Sequence, residues 1–303
     1  MSVSRSRWIL LGTMGCLVAS CALQSAEEGA GTAAAPGQLP RPVSGSSMGA
    51  QGSVIPAGAQ DAQARLATSP RHAEWAMIPA GRDSIRAFVV FPERSTPAPV
   101  IIVVHEIFGL SHWVRAVADQ LAADGFIAVA PDFLTTKNLP GAPADTPPDA
   151  ARAAIQTVEQ ADVQRWIDAA ARWGMAHPAA LDRYGIVGYC WGGAVSFNHA
   201  VHAPGLGASV VYYGPSPPTD RLATIRAPVL GLYGENDARV NATVHPADSA
   251  MRALGKAFEH HTFAGAGHGF LRAQDGANGA NLAATREAWP RTVHWFRRHL
   301  ELR

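Results

Sequence analysis

The sequence predicts an α/β fold: a doubly wound, mostly parallel sheet, preceded by a disordered N-terminal tether. Three observations predict it. Short, wholly apolar runs alternate with segments of helical period from about residue 71 onward. Those runs lack polar alternation, so they suit strands covered on both faces. The stretch before residue 71 is rich in Ala, Gly, Pro, Ser and Gln and holds little that packs.

The elements follow in order. Residues 86–91 (Arg-Ala-Phe-Val-Val-Phe) form a strand of β-formers. Residues 99–105 (Pro-Val-Ile-Ile-Val-Val-His) form a buried parallel strand. Residues 113–124 place Val114, Val117, Ala118 and Leu121 on one helical face, and Gly125 terminates that helix. Residues 126–130 are the next strand, closed by Pro131-Asp132. Residues 135–148 form a proline-bearing loop, and 150–173 a long helical pattern with a break. Strand 184–187, helix 194–201, and strands 208–213, 228–233 and 260–263 follow, with an amphipathic helix over 289–300. Right-handed crossovers then gather the strand ends, and any site, along one sheet edge.

The 303 residues are 48% hydrophobic and 16% charged, enough to bury a sizeable core. The net charge is +1 and both signs are mixed along the chain, so no basic stripe offers itself to nucleic acid.

Residues 1–21 read as an export signal. Arg5 and Arg7 precede a short apolar run over residues 8–19, too short for a comfortable membrane span. Val18-Ala19-Ser20-Cys21 resembles a bacterial lipobox, which would make Cys21 the lipidated N-terminus of a membrane-anchored lipoprotein. An ordinary signal cleaved near Ala22 is the alternative, leaving a periplasmic protein. Ala22, in place of an acid, points to outer-membrane sorting. Residues 22–70 read as a flexible linker and 71–303 as the functional domain.

Of the three cysteines, Cys16 and Cys21 lie in the leader, so Cys190 stands alone in the folded body. It is an inert buried thiol or a reactive one. Its surroundings argue for the second. Gly188-Tyr189-Cys190-Trp191-Gly192-Gly193 joins a strand to a helix. This is the setting of a nucleophile elbow, with cysteine in place of serine. The glycines remove Cβ atoms from a sharp turn, and the helix aims free N–H groups at the sulfur. Asp237 follows the strand 230–233 in Gly234-Glu235-Asn236-Asp237. His268 follows in Gly265-Ala266-Gly267-His268-Gly269-Phe270. Nucleophile, acid, histidine is the chain order of α/β-hydrolases. Taken singly, Asp237 is a turn residue and His268 a surface histidine; together they predict a triad. Ahead of them, His105-Glu106-Ile107-Phe108-Gly109 follows a strand where one backbone oxyanion donor belongs. Ile107 and Trp191 are the expected donors.

These segments, with Ala130-Pro131-Asp132, resemble the dienelactone hydrolase family, the carboxymethylenebutenolidases, over residues 88–300. The resemblance implies an α/β-hydrolase fold, a small-molecule ester or lactone substrate and a thioester intermediate. It implies that Glu106 holds the resting Cys190 thiol and takes its proton when substrate binds. An unassisted thiol, with a pKa of about 8.5, is largely protonated at neutral pH. The resemblance assigns Arg272, four residues after His268, to a substrate carboxylate; its bland reading is a solvated loop arginine. Arg152 is one candidate for a second arginine, and Gly269 stands where those enzymes carry serine. No metal and no organic cofactor is implied: His199 and His202 are three apart on a helix, without a matched third ligand. Two alternatives stay open: a broad carboxylesterase or thioesterase, and a non-catalytic exported binding module.

Overall fold

The computed structural model describes residues 55–143 and 145–301. Cys16, Cys21, the signal and most of the expected tether lie outside the described residues. The linker expected to run to residue 70 ends earlier. Helix α1 (Ala62–Ala67) lies against α2 (His112–Ala123), with Ala57 and Ala62 buried. Ser69 Oγ and Arg71 Nε donate to the Asp119 carboxylate, the latter at 2.9 Å. Small side chains that look unable to pack let this segment lie close to the domain.

The strands are β1 (Ala73–Ala80), β2 (Asp83–Val90), β3 (Ala98–Val104), β4 (Ile127–Pro131), β5 (Ala180–Tyr189), β6 (Ala208–Tyr212), β7 (Val229–Asn236) and β8 (Phe258–Gly267). They form one sheet in the order β1-β2-β4-β3-β5-β6-β7-β8, in which β2 alone runs against the rest. The expected doubly wound α/β sheet is therefore the observed one. Strand β3 shows why its sequence is apolar throughout. Val100, Ile102 and Val104 enter the core on one face, Ile101 and Val103 the core on the other. Helices α2 and α7 (Ala280–Phe296) cover the second face. Helices α4 (Gln160–Met175), α5 (Trp191–His202) and α6 (Ala238–Ala253) cover the first.

The break expected within residues 150–173 separates α3 (Pro148–Ile155) from α4. Gly125 adopts φ +100°, as a helix terminator should. The sequence reading omits β1, an edge strand with Trp75 and Met77 exposed and Pro79 inside it. It also omits α6, whose pattern is interrupted by Pro246. His199, on α5, is bonded to Tyr184 and Gln164 at 3.0 and 2.7 Å, a buried structural network.

Two register pairs position the site. Val104 of β3 lies opposite Gly188 of β5, so the loops beginning at His105 and Tyr189 emerge side by side. Asn236 of β7 lies opposite Gly267 of β8, which brings the next residues, Asp237 and His268, together. The chain goes one way from β3 to β4 and the other way from β5 to β6, so the first pair marks the topological switch point where such sheets bind ligands.

Candidate active site

Cys190 sits at the tightest point of this edge. Its φ of +56° and ψ of −113° form a sparsely populated conformation for a residue with a side chain. Backbone packing enforces it. A Cβ on Gly188 would strike the carbonyl of Gly192, and one on Gly192 would strike the carbonyls of Val104 and His105. The Cys190 N–H donates to Tyr212 C=O at 3.1 Å, fixing the turn to β6. The side chain is half-buried. Burial and the nearby Glu106 carboxylate push its thiol up to about 11, while the Trp191 N–H pulls the other way. The resting sulfur is therefore protonated at neutral pH.

Asp237 stands at the N-cap position of α6 without a side-chain capping bond and is 8% exposed. Its Oδ2 accepts the His268 Nδ1–H at 2.6 Å, which leaves His268 Nε2 as the free acceptor. The turn that holds the pair is braced by its own motif. Glu235 accepts the Gly265 N–H at 2.8 Å, and the Asn236 amide donates to Gly265 C=O at 3.0 Å. Asp237 also contributes to the field at Cys190, as does Arg239.

Glu106 is 3% exposed, and Arg272 Nε stands 2.8 Å from its Oε2, at ion-pair distance but off the line of a hydrogen bond. Arg272 also lies over the Phe108 ring at 5.0 Å, and Arg152, from α3, lies over the same ring at 5.6 Å. Tyr213, at φ +40°, packs its ring edge-on to His268 at 5.2 Å. Sequence reasoning missed Tyr213 and Phe108. The only signal for Tyr213 is an aromatic pair at the end of a strand. The Ile107 N–H makes no hydrogen bond to another group among the described residues. That of Trp191 opens α5.

The sequence model of the "Dienelactone hydrolase family" matches residues 85–300. The chain belongs to the dienelactone hydrolase family. A protein of Escherichia coli (strain K12) named "Putative carboxymethylenebutenolidase" is 31% identical over 234 residues, covering 73% of this chain and 85% of that one. The crystal structure of a "Putative Dienelactone Hydrolase" from Klebsiella pneumoniae is 30% identical with a TM-score of 0.65, covering 75% and 98%. A dienelactone hydrolase from Anabaena variabilis, 17% identical with a TM-score of 0.58 over 76% and 99%, shares the fold.

In this member of the dienelactone hydrolase family, Cys190, Asp237, His268, Glu106, Ile107, Trp191 and Arg272 all lie at the strand ends and loops of one sheet edge. Arg272 is partly buried in the loop after β8 and lies at ion-pair distance from Glu106. The N-terminal strap holds its backbone: the Ala59 N–H donates to Arg272 C=O at 2.8 Å, and Gln274 donates to Pro56 C=O at 2.9 Å.

Burial pushes the Glu106 carboxyl up to about 7, against the lowering effects of Arg272 and the neighbouring Tyr213 hydroxyl. Folding therefore favours the protonated acid. The associated stability is fully present below about pH 4.5, the ordinary glutamate range, and is lost as pH rises through 7. The full loss amounts to roughly 3 kcal/mol, most of it between pH 5 and pH 8. Urea unfolding at pH 5 and pH 8 should show this decline in the wild type. Glu106→Gln should flatten it; equal slopes in both proteins would refute the assignment.

Proposed function

We propose that this chain hydrolyses a small ester or lactone bearing a carboxylate, through a thioester on Cys190. The observation that carries the reading is a cysteine held at a strained elbow on the sheet edge where His268 is bound to the Asp237 carboxylate, with Tyr213 packed on His268 and within the field of Cys190. The Cys190 thiolate adds to the substrate carbonyl, and the carbonyl electrons move onto oxygen. The Ile107 and Trp191 N–H groups stabilise that oxyanion. Collapse of the adduct expels the alkoxide or enolate, which is protonated through His268 by the proton that Glu106 took from Cys190, unless it is stable as released. Water, deprotonated by His268, then attacks the thioester and restores the thiol.

Arg272 supplies a trigger for thiolate formation. In the resting site it pairs with Glu106, and the proton stays on sulfur. A substrate carboxylate entering between Arg272 and Arg152 would compete for that guanidinium. Glu106, deprived of its counter-charge in a buried position, becomes a stronger base and takes the Cys190 proton. A thiol protonated until substrate arrives also resists oxidation.

The test is direct. Acid quench during p-nitrophenyl acetate turnover should leave an acetyl mass on the peptide carrying Cys190. No acyl adduct on that peptide under burst conditions would sink the thioester route. Dienelactone and neutral p-nitrophenyl esters separate the substrate classes: turnover of the esters alone would identify a broad carboxylesterase. Arg272→Met should lower kcat/KM for dienelactone by about 100-fold, the usual loss for a buried charge-assisted pair. Neutral ester hydrolysis should fall far less, or rise, because losing Arg272 costs no carboxylate contact there and releases Glu106. Equal losses on both substrates would exclude Arg272 as the carboxylate contact.

We further propose that the enzyme is exported, as its leader reads, and anchored through Cys21. Mass spectrometry of the mature N-terminus checks this: an unmodified N-terminus beyond Cys21 rejects the anchor.

A further inference from the structure

The chemistry above gives His105 no task, yet His105 is wholly buried and both its ring nitrogens are engaged. Its Nε2 accepts the Phe133 N–H at 3.1 Å. An imidazole nitrogen that accepts carries no proton, so the proton lies on Nδ1. Nδ1 donates to the Glu106 carbonyl at 2.7 Å. The ring stacks on Trp191 at a 23° tilt, with centroids 5.8 Å apart, and lies edge-on to Phe133 at 5.3 Å. Burial holds His105 below its ordinary range, with Asp132 acting in the opposite direction, so the ring is neutral.

The Glu106–Ile107 peptide is trans, and the C=O and N–H of a trans peptide point in opposite directions. Whatever holds the Glu106 carbonyl therefore aims the Ile107 N–H. The Gly109 N–H reaches the same oxygen at 3.3 Å, a longer contact than the imidazole makes.

We propose that His105 is a positioning residue: by holding the Glu106 carbonyl it turns the Ile107 N–H toward the oxyanion that forms above Cys190. The inference rests on the cysteine-hydrolase reading and adds a part to it. It also gives Ala130-Pro131-Asp132 a purpose. Asp132 Oδ1 accepts the Leu134 N–H at 3.0 Å, and Thr135 Oγ1 donates to Asp132 C=O at 2.7 Å. This closes the turn that presents the Phe133 N–H to His105. A rigid path thus runs from the end of β4 through one imidazole to the oxyanion donor. The same ring stacks on Trp191, the residue carrying the second donor.

Two variants and two probes test it. His105→Leu keeps bulk and removes the donor; His105→Asn keeps an N–H near the position of Nδ1–H. A trifluoromethyl ketone adds to the thiolate and places negative charge on its former carbonyl oxygen, so its affinity reports the oxyanion site. Iodoacetamide alkylates sulfur with loss of iodide and forms no oxyanion. For His105→Leu, ketone affinity and kcat for p-nitrophenyl acetate should fall about 30- to 100-fold, the range for a misaimed oxyanion donor. KM and the iodoacetamide rate should change less than about 3-fold, because neither depends on that donor. His105→Asn should recover at least about a third of the lost ketone affinity, as one N–H replaces another.

Wild-type ketone affinity in His105→Leu would overturn the proposal. So would equal losses with both probes, which mark a collapsed site. Should the leucine variant fail to fold, the asparagine variant decides: retained ketone affinity supports the role, and a folded protein without it overturns the role. Cys190→Ala separates the two levels. Persisting ester hydrolysis in that variant overturns the cysteine reading and this inference with it. An inactive Cys190→Ala beside a fully active His105→Leu overturns the positioning role alone.

Discussion

Cys190→Ala should lower kcat/KM for p-nitrophenyl acetate by at least about 10⁴-fold, leaving only the modest catalysis that binding and oxyanion donors supply. The protein should remain folded. The change removes one sulfur from a half-buried position, and the strained φ of +56° is set by backbone packing at Gly188 and Gly192. Thermal melting within a few degrees of wild type would establish that the loss is chemical. Cys190→Ser is the sharper comparison. A hydroxyl is far less acidic than a thiol, and a glutamate tuned to about 7 cannot deprotonate it. Serine should therefore recover little activity, although it fits the turn. A serine variant as active as wild type would mean that His268 alone generates the nucleophile and that Glu106 has another role.

Asp237→Asn is expected to cost about 10³-fold in kcat with little change in KM, in line with losing the carboxylate that orients a catalytic histidine. Asparagine matches the size of aspartate, so the turn braced by Glu235 and Asn236 should persist. What changes is charge and proton placement. The carboxylate accepts the Nδ1–H at 2.6 Å, and in the proposed cycle it would stabilise the cation formed when His268 takes a proton. An amide stabilises no such cation, and its N–H favours the tautomer that blocks Nε2. Steady-state kinetics with neutral p-nitrophenyl esters, beside a melting curve, measures this. A loss smaller than about 10-fold would show that His268 needs no orienting carboxylate.

Much of the site was legible before folding because its demands are local. A side chain at a strand-to-helix turn requires glycine at fixed offsets, so Gly188 and Gly192 around Cys190 announce an elbow from sequence alone. Asp237 and His268 were legible for a related reason: each directly follows a strand, and parallel strands in sequential order deliver their ends to one edge. The continuous apolar run of β3 likewise fixes a strand buried on both faces, whatever surrounds it.

Other parts depend on residues far apart in the chain. Glu106 and Arg272 are 166 positions apart, and nothing near either forecasts an ion pair at 2.8 Å. Phe108 lies beneath two guanidiniums only because α3 and the loop after β8 reach the same place. Residues 56–59 read as tether and serve as a strap, since alanine and glycine carry no signal until a partner surface exists. His105 looked like the end of a strand; its tautomer was settled by a backbone N–H from β4's loop.

The sequence by itself determined the fold class, the elbow and the order of the reactive side chains, because these follow from backbone sterics and strand periodicity within short windows. Only the tertiary structure decided the electrostatic state of the site. Burial and charge proximity are properties of folded space, and they set how basic a buried carboxyl is, which arginine restrains it and which way a peptide N–H points.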